Sequence, residues 1–579
     1  MFGYRKSNLL NILRPIQRVS LKIRRQRFIF GFVIATVNPL LNPFIVSIFC
    51  ASTTSVLAQE PIWAVREGLP VGSKAERYLR VLQLAGQTPL HPWSVRGFSP
   101  QALVDILPAN GGHPWQDRVD FNLEPLKSLG LGWIYPKIEL ISNSAYPFGE
   151  NDGSMWVGRG LTAAAEAGGY IRFGRLHIRF APDGFWTENG YFELANNGES
   201  GKAAYRDESV PTGIDRPQRF GDESYGRLNW GSSVLHLALP GVTLGVSGAG
   251  QQWGPALHYP LLLGDNAGGF PHVFAQTGAP VDLWAVRLHG RYLLGWPSQS
   301  EFSPNLMREH RRVVTGVILA LLPKGIDGLE LGMARFIHGL YPENSFHRED
   351  IFRVFGSVTD DQRGDLNRPD ENQMASLFFR WAFPTAGVEV YGELIKEDFA
   401  RSLRHIIEEP DDFMGRVFGF QKVWSQSQGR LAVIRGEVVN ALVHHSERFD
   451  RIRFWGNRPM PLYTHSGVGH TQRGQILGSP SAYGGAGWTI GMDLYHTQGR
   501  WTVDVSRALQ TEFSAIYRGT SGPKISDVIY ALKLEAVRFG DGIEWTTSAT
   551  PSFNLNRNLI EKNDAFNLSL QISMTGLPW

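Results

Sequence analysis

The stretch from Leu377 to Leu394 constrains the fold more than any other. It runs Leu377-Phe378-Phe379-Arg380-Trp381-Ala382-Phe383, turns at Pro384-Thr385-Ala386-Gly387, and returns as Val388-Glu389-Val390-Tyr391-Gly392-Glu393-Leu394. Side chains alternate faces along a strand. Leu377, Phe379, Trp381, Phe383, Val388, Val390 and Leu394 therefore share one face, and Arg380, Glu389, Tyr391 and Glu393 share the other. A soluble sheet tolerates this pattern. A transmembrane β-barrel requires it, with lipid outside and a polar lumen inside.

The unit recurs. Leu176, Ile178 and Phe180 oppose Arg175, His177 and Arg179 after a Gly174-Arg175 turn. Leu235, Leu237 and Leu239 turn at Pro240-Gly241 into Val242, Leu244 and Val246. Val317, Leu319 and Leu321 return as Leu329, Leu331 and Met333. Trp488, Ile490, Met492 and Leu494 turn at Gln498-Gly499 into Trp501, Val503 and Val505, with Asp493, Thr502 and Asp504 opposite. Tyr530, Leu532 and Leu534 alternate with Lys533 and Glu535. Near the end, Phe566, Leu568, Leu570, Ile572 and Met574 alternate with Asn567, Ser569, Gln571 and Ser573 before Trp579. A closing amphipathic strand with a terminal aromatic suits barrel assembly, although Pro578 departs from that pattern.

Connections fall into two lengths. Tight turns alternate with long polar stretches near Thr187–Glu223, Gly250–Asp282, Leu340–Gln373, Lys396–Gly415, Ser446–Gly487 and Arg507–Asp527. Outer-membrane barrels sort their loops this way, with turns in the periplasm and loops outside. The spacing predicts an all-β transmembrane barrel over 136–579, with roughly 16–20 antiparallel strands.

Residues 1–58 read as an export signal. Eight basic residues from Arg5 to Arg27 precede an apolar run to Cys50, and Val56-Leu57-Ala58 offers a small-residue cleavage signal ahead of Gln59. Asn38-Pro39 and Asn42-Pro43 interrupt the run and argue against a permanent anchor. Removing the eight basic residues from 57 leaves 49 against 54 acidic ones, so the mature chain is net acidic and nucleic acid is not an expected partner. Cys50, the single cysteine, leaves with the signal, which excludes disulfides and Cys-ligated metals.

Residues 59–135 read as a small helical segment. Ser73 and Glu76 form a capping box ahead of Tyr78, Val81, Leu82 and Ala85, and Gly86 can end that helix. Ser99-Pro100 opens a second helix with Leu103, Ile106 and Leu107, stopped by Pro108. A third lies near Val119–Leu129, interrupted by Pro125. Some 75 residues make a poor independent core, so the segment is expected to pack against something larger.

Three stretches carry a family resemblance. One is Gln252-Trp253-Gly254-Pro255 with Leu261-Leu262-Leu263 and Asn266-Ala267-Gly268-Gly269-Phe270-Pro271-His272. The second is Val388 to Glu393 with Lys396-Glu397-Asp398. The third is Tyr463-Thr464-His465-Ser466 with His470-Thr471-Gln472-Arg473-Gly474-Gln475-Ile476-Leu477-Gly478. Together with the helical segment they resemble the Wzi-like capsule-assembly proteins of the bacterial outer membrane, over nearly all of the mature chain. The resemblance implies a barrel of about 18 strands with a periplasmic helical plug. It implies a monomeric, lectin-like role that holds capsular polysaccharide or exopolysaccharide at the cell surface, among outer-membrane lipid and lipopolysaccharide, after delivery by the barrel assembly machinery. It implies no cofactor and no catalysis.

The candidate glycan-binding residues are Trp253, Tyr259, Tyr391, Glu393, Tyr463, His465, His470, Gln472 and Arg473. Aromatic faces stack on sugars, and the polar groups match hydroxyls or carboxylates, Arg with a bidentate fork. The competing reading is a loop that folds inward and satisfies its own backbone through these side chains. Gly254-Pro255 reads as a turn. His444-His445 points to opposite faces of a strand, which disfavours a shared metal. The chain has no G-x-S-x-G, H-E-x-x-H or P-loop, so an enzyme acting on lipid or glycan ranks below a porin or substrate channel as the alternative to a binding protein.

Overall fold

Residues 377–394 form the expected hairpin in the computed structural model, with Leu377↔Leu394 and Phe383↔Val388 paired across it. Leu377, Trp381, Val390 and Leu394 face outward and are exposed; Arg380, Glu389, Tyr391 and Glu393 are buried inside. The structure describes residues 63–64, 68–98, 102–103, 106–108, 112–120, 129–304, 310–342, 348–359, 371–399, 402–408, 410, 413–426, 429–442, 461–464, 468–510, 525–540 and 542–576. The expected export signal and its cleavage point, His444-His445, His465 and Trp579 lie outside them.

Eighteen antiparallel strands close one barrel. They are β1 (Gly130–Asn143), β2 (Gly160–Phe173), β3 (Leu176–Phe180 and Asp183–Thr187), β4 (Tyr225–Asn229 and Val234–Leu239), β5 (Val242–Ser247) and β6 (His272–Thr277 and Val281–Leu283). Then come β7 (Val286–Gly295), β8 (His310–Pro323), β9 (Leu329–Pro342), β10 (Asn372–Phe383), β11 (Val388–Glu397) and β12 (Met414–Ser425). The last six are β13 (Leu431–Asn440), β14 (Ala486–His496), β15 (Gly499–Leu509), β16 (Val528–Phe539), β17 (Glu544–Leu555) and β18 (Ala565–Thr575). β18 closes on β1 from Ser569↔Asn143 to Thr575↔Lys137. Pro182 and Pro280, which have no N–H to give a ladder, fall in the breaks of β3 and β6.

Two expectations change here. The first strand starts at Gly130, ahead of the expected boundary at 136. The stretch assigned to a loop from Gly250 to Asp282 contains β6. Its inward residues His272, Phe274 and Gln276 are mostly polar or aromatic, and the outer-face residues Val273, Val281 and Leu283 are split by the break at Gly278–Pro280, so the alternation was masked. Further connections at 144–159, 296–304 and 556–564 sit at the loop end beside those expected.

At the turn end an outward belt of tryptophans marks a lipid–water boundary: Trp133, Trp284, Trp381, Trp424, Trp501 and Trp545. Trp284, in the β6–β7 turn, is 98% exposed. Lys422 lies 5.6 Å from the Trp424 ring and Arg538 4.6 Å from the Trp501 ring, with their apolar stems along the wall. Among the described residues no helix is long and apolar enough to cross a membrane; the strands do so.

The N-terminal segment occupies the lumen at the turn end. Helix α1 (Lys74–Leu84) is capped by Ser73, whose Oγ accepts from the Glu76 N–H at 3.3 Å; Glu76 reaches back to the Gly72 N–H at 2.9 Å. A second helical turn follows, with Ile106 and Leu107 N–H on the Leu103 carbonyl, and it stops at Pro108. The third expected helix is absent where it is described: Val119–Asp120 is extended and pairs in parallel with Trp63–Ala64. Pro125 leaves too short a run before it to nucleate a helix.

Candidate functional site

The plug is held by buried charge. Glu389 on β11 accepts from Arg80 of α1 at 2.9 Å, from Arg380 at 2.6 Å and from Gln421 at 2.6 Å. Arg380 also donates to Gln83 of α1 at 2.7 Å. Glu330 on β9 accepts the Trp93 and Ser94 N–H groups, both at 3.1 Å. Tyr78 and Trp115 pack on Tyr495 and Phe539 of the wall, and the Trp115 indole donates to the His496 and Gly499 carbonyls. Lys74 contacts Glu544 and Thr546 at the start of β17.

The 250–270 connection does not extend outward. It folds into the lumen and meets the plug: the Gly254 N–H donates to the Ser94 carbonyl at 2.9 Å and Arg96 donates to the Ala256 carbonyl at 2.6 Å. Glu437 on β13 receives the N–H groups of Leu257 (2.8 Å), His258 (3.1 Å) and Tyr259 (2.5 Å), and the Tyr391 hydroxyl at 2.7 Å. One buried carboxylate thus pins a whole turn of loop backbone. Gly254 has φ +89°, and a Cβ there would lie 2.6 Å from the Glu393 carboxylate, so the turn expected at Gly254-Pro255 admits only glycine.

These contacts place the sequence candidates. Trp253, Tyr259, Tyr391, Glu393, Tyr463 and His470 are all buried in this inner column; the protein supplies partners for the Tyr391 and Tyr463 hydroxyls and for both His470 nitrogens. The Tyr463 hydroxyl donates to the Leu261 carbonyl at 2.6 Å, and its N–H donates to Glu397 at 2.5 Å. Burial pushes the His470 imidazole down to about 4, so it is neutral. Its Nε2–H donates to the Leu262 carbonyl at 2.5 Å, and its Nδ1 accepts from His338 at 2.7 Å. Gln472 accepts the Ser298 N–H at 2.7 Å. Arg473 is half-buried and donates to Asn229 at 3.1 Å and to the Leu228 carbonyl at 3.3 Å. These side chains belong to the inward-folded column.

Open space lies elsewhere. A cavity of about 910 Å³ runs along the inside of β1–β5 and β14–β18, from Lys74 and Glu544 near the turns to Gln510 and Ile529 near the loops. Asp152, from the 144–159 connection, lines it, and burial raises its carboxyl to about 7, with Glu139 adding repulsion. At the loop end this cavity shares Pro147, Arg216, Pro480, Gln510 and Ile529 with a second cleft of about 290 Å³. Tyr146, Trp156, Phe192 and Phe220 give the cleft aromatic walls; Glu208, Gln475, Asp527, Asn554, Arg557 and Asn558 give it polar ones.

Sequence reasoning missed every residue of that cleft. They come from six separated connections and two strand ends, and no local motif joins them. Asn554 alone carried a signal, because it ends the inward polar run Thr546, Ser548, Thr550, Ser552 on β17.

No protein-family model matches the chain, and no curated protein sequence matches it. Among solved structures, it is similar to Wzi from Escherichia coli, described as an outer membrane protein involved in group 1 capsule assembly and as a carbohydrate-binding β-barrel. The TM-score is 0.57 at 13% identity, over 88% of this chain and 99% of that one. OprD from Pseudomonas aeruginosa aligns with TM-score 0.35 at 7% identity over 77% of this chain and 93% of that one; a BenF-like porin from Pseudomonas fluorescens gives 0.36 at 9%, over 78% and 99%. The chain has the fold of outer-membrane barrels, and its architecture is Wzi-like.

Proposed function

We propose that this protein is a lectin-like outer-membrane barrel that binds capsular polysaccharide or exopolysaccharide at the cell surface without catalysing a reaction on it. The observation that carries this reading is the division of the two ends. At the turn end the N-terminal segment is anchored in the lumen by buried ion pairs, whereas the loop end presents a cleft that combines aromatic faces with polar edges. Such a pairing suits sugars, which have apolar faces and hydroxyl rims. The Wzi-like architecture agrees with it. Each site would hold one segment of polymer weakly, and many copies per cell would hold the chain through multivalency.

The test compares a deletion strain with its parent. Polymer made in normal amount but shed into the medium is the expected result; unchanged attachment would sink the reading. The barrel-length cavity favours a second reading, a channel for small solutes. Steady conductance of the full chain in planar bilayers would support it, and silence would leave the holding role.

A further inference from the structure

The loop-end cleft contains more unsatisfied hydrogen-bonding capacity than its size leads one to expect. Buried polar atoms ordinarily find partners, and each one left without carries its desolvation penalty uncompensated. Four residues of the cleft lining carry such atoms: Asp527 Oδ1, Asn554 Oδ1, Ser209 Oγ and Trp156 Nε1. Asp527 is 8% exposed, Ser209 5% and Asn554 3%. Their other groups are firmly placed. Asp527 Oδ2 accepts the Asn558 N–H at 2.8 Å, and the Ser209 N–H donates to Asp207 at 2.8 Å. The unpartnered atoms are therefore held by a scaffold and left over by it.

Their chemistry selects a ligand class. Two of the four only accept, one only donates, and the serine hydroxyl does either. The partner must bring more donors than acceptors to the acidic side and stack on aromatic walls. Phe220 lies 5.8 Å from Trp156 and stacks on Tyr225 at 4.3 Å, and Arg557 lies over Tyr146 at 4.6 Å. Two cations line the cleft, and both are engaged: Arg216 is paired to Asp207 and Glu208, both at 2.7 Å, and Arg557 lies over Tyr146 with the Asp527 carboxylate as its main charged neighbour. A carboxylated sugar would meet Asp527 and Glu208 with both guanidinium groups already facing carboxylates. An uncharged sugar ring meets the same groups with hydroxyl hydrogens.

We infer that this cleft is a binding site for one neutral, hydroxyl-rich sugar residue of a surface polysaccharide, with Asp527 and Asn554 accepting its hydroxyls and Trp156 donating to a ring or hydroxyl oxygen. The inference rests on the polysaccharide-holding reading and narrows it to a place and a sugar class. The volume, at the small end of ligand sites, fits one ring of a chain that continues outward, not a length of polymer.

The experiment uses the full chain purified in detergent. The probes are the methyl glycosides of glucose, galactose and mannose, with glucuronate as the charged comparator, read by saturation-transfer NMR and calorimetry. At least one neutral glycoside is expected to bind with a Kd of about 1 mM. Glucuronate is expected to bind at least tenfold more weakly, and D527N to weaken the neutral probe about tenfold. Heat-dependent gel mobility reports folding of each variant; should D527N not fold, W156F and S209A carry the test with a smaller, several-fold loss. Glucuronate binding more tightly than every neutral probe, or neutral binding untouched by D527N and W156F, overturns the assignment. Co-sedimentation with the cell's own polymer separates the two claims. Polymer bound by the chain while no monosaccharide enters the cleft overturns the cleft and leaves the holding role standing. Polymer not bound at all removes both.

Discussion

The two halves of the lumen follow opposite rules. Along β6–β13 the inward face mixes apolar side chains such as Ile318, Phe336, Phe378 and Val417 with the buried Glu330, Arg380, Glu389 and Glu437, and loop and plug pack onto both kinds. Along β14–β18 the inward face carries Thr489, Asp504, Ser506, Lys533, Ser548, Thr550, Ser569 and Gln571, and water-sized space runs its length. The backbone is the same; only the inward positions differ. Apolar inward side chains gain from a covering, at about 25 cal/mol per Å², and the buried carboxylates of β9, β11 and β13 fix that covering by accepting its N–H and guanidinium groups. Polar side chains that meet no such donors gain little from being covered and lose hydration. A barrel can thus be solid on one side and hollow on the other.

The contrast is broken most severely at Glu389. E389A leaves Arg80 and Arg380 buried without their counter-charge, a loss of about 3–5 kcal/mol at the plug. Residues 74–96 should then become protease-sensitive and exchange their amides rapidly, and an unchanged exchange pattern would refute the ion-pair account. Next comes a matched pair of truncations. F336A on the solid side should cost about 3–5 kcal/mol in denaturant unfolding. T550A on the hollow side should stay within about 0.5 kcal/mol. Equal effects would erase the distinction.

Enlargement sharpens it from the other direction. A Cβ on Gly316 would fall 2.7 Å from both Phe336 and Trp253, so G316A should cost about 1–3 kcal/mol. S548V, facing the cavity, should be near neutral by the same unfolding measurement. The smallest effect concerns pH. Burial raises the Asp527 carboxyl to about 6, against the Asn558 N–H, Arg557 and the Asn554 amide, with Glu208 repelling it. A carboxyl raised in the fold favours the folded loop at low pH, and that gain is lost as pH rises through about 6. Ligand binding runs the other way, because the ionised form is the better hydroxyl acceptor. Affinity for a neutral methyl glycoside should fall a few-fold from pH 7 to pH 5 in the native chain and stay flat in D527N.

Which parts were legible follows from the same physics. Lipid outside forces alternation, so Leu377–Leu394, the Trp501 hairpin and the final strand could be read directly. β6 escaped because His272 and Gln276 share its inner face with Phe274. The inward fold of 250–270 left no period to read, since it is fixed by Glu437 nearly 180 residues away. Trp253, Tyr463 and His470 were recognisable as a distinctive set, but their residue types alone do not separate a glycan contact from a packed column. The cleft was invisible because Trp156, Ser209, Asp527 and Asn554 meet only after the barrel has closed.

The position of the closing seam has a consequence for that event. β18 meets β1 where Lys137, Glu139, Ser569, Gln571 and Thr575 face the hollow side, away from the packed column. The ladder that joins the two ends of the sheet therefore borders open space and has no packed interior to fit. The column can settle against β6–β13 while the sheet is still an open crescent, and closure then requires only backbone registration. A seam on the solid side would have demanded both at once.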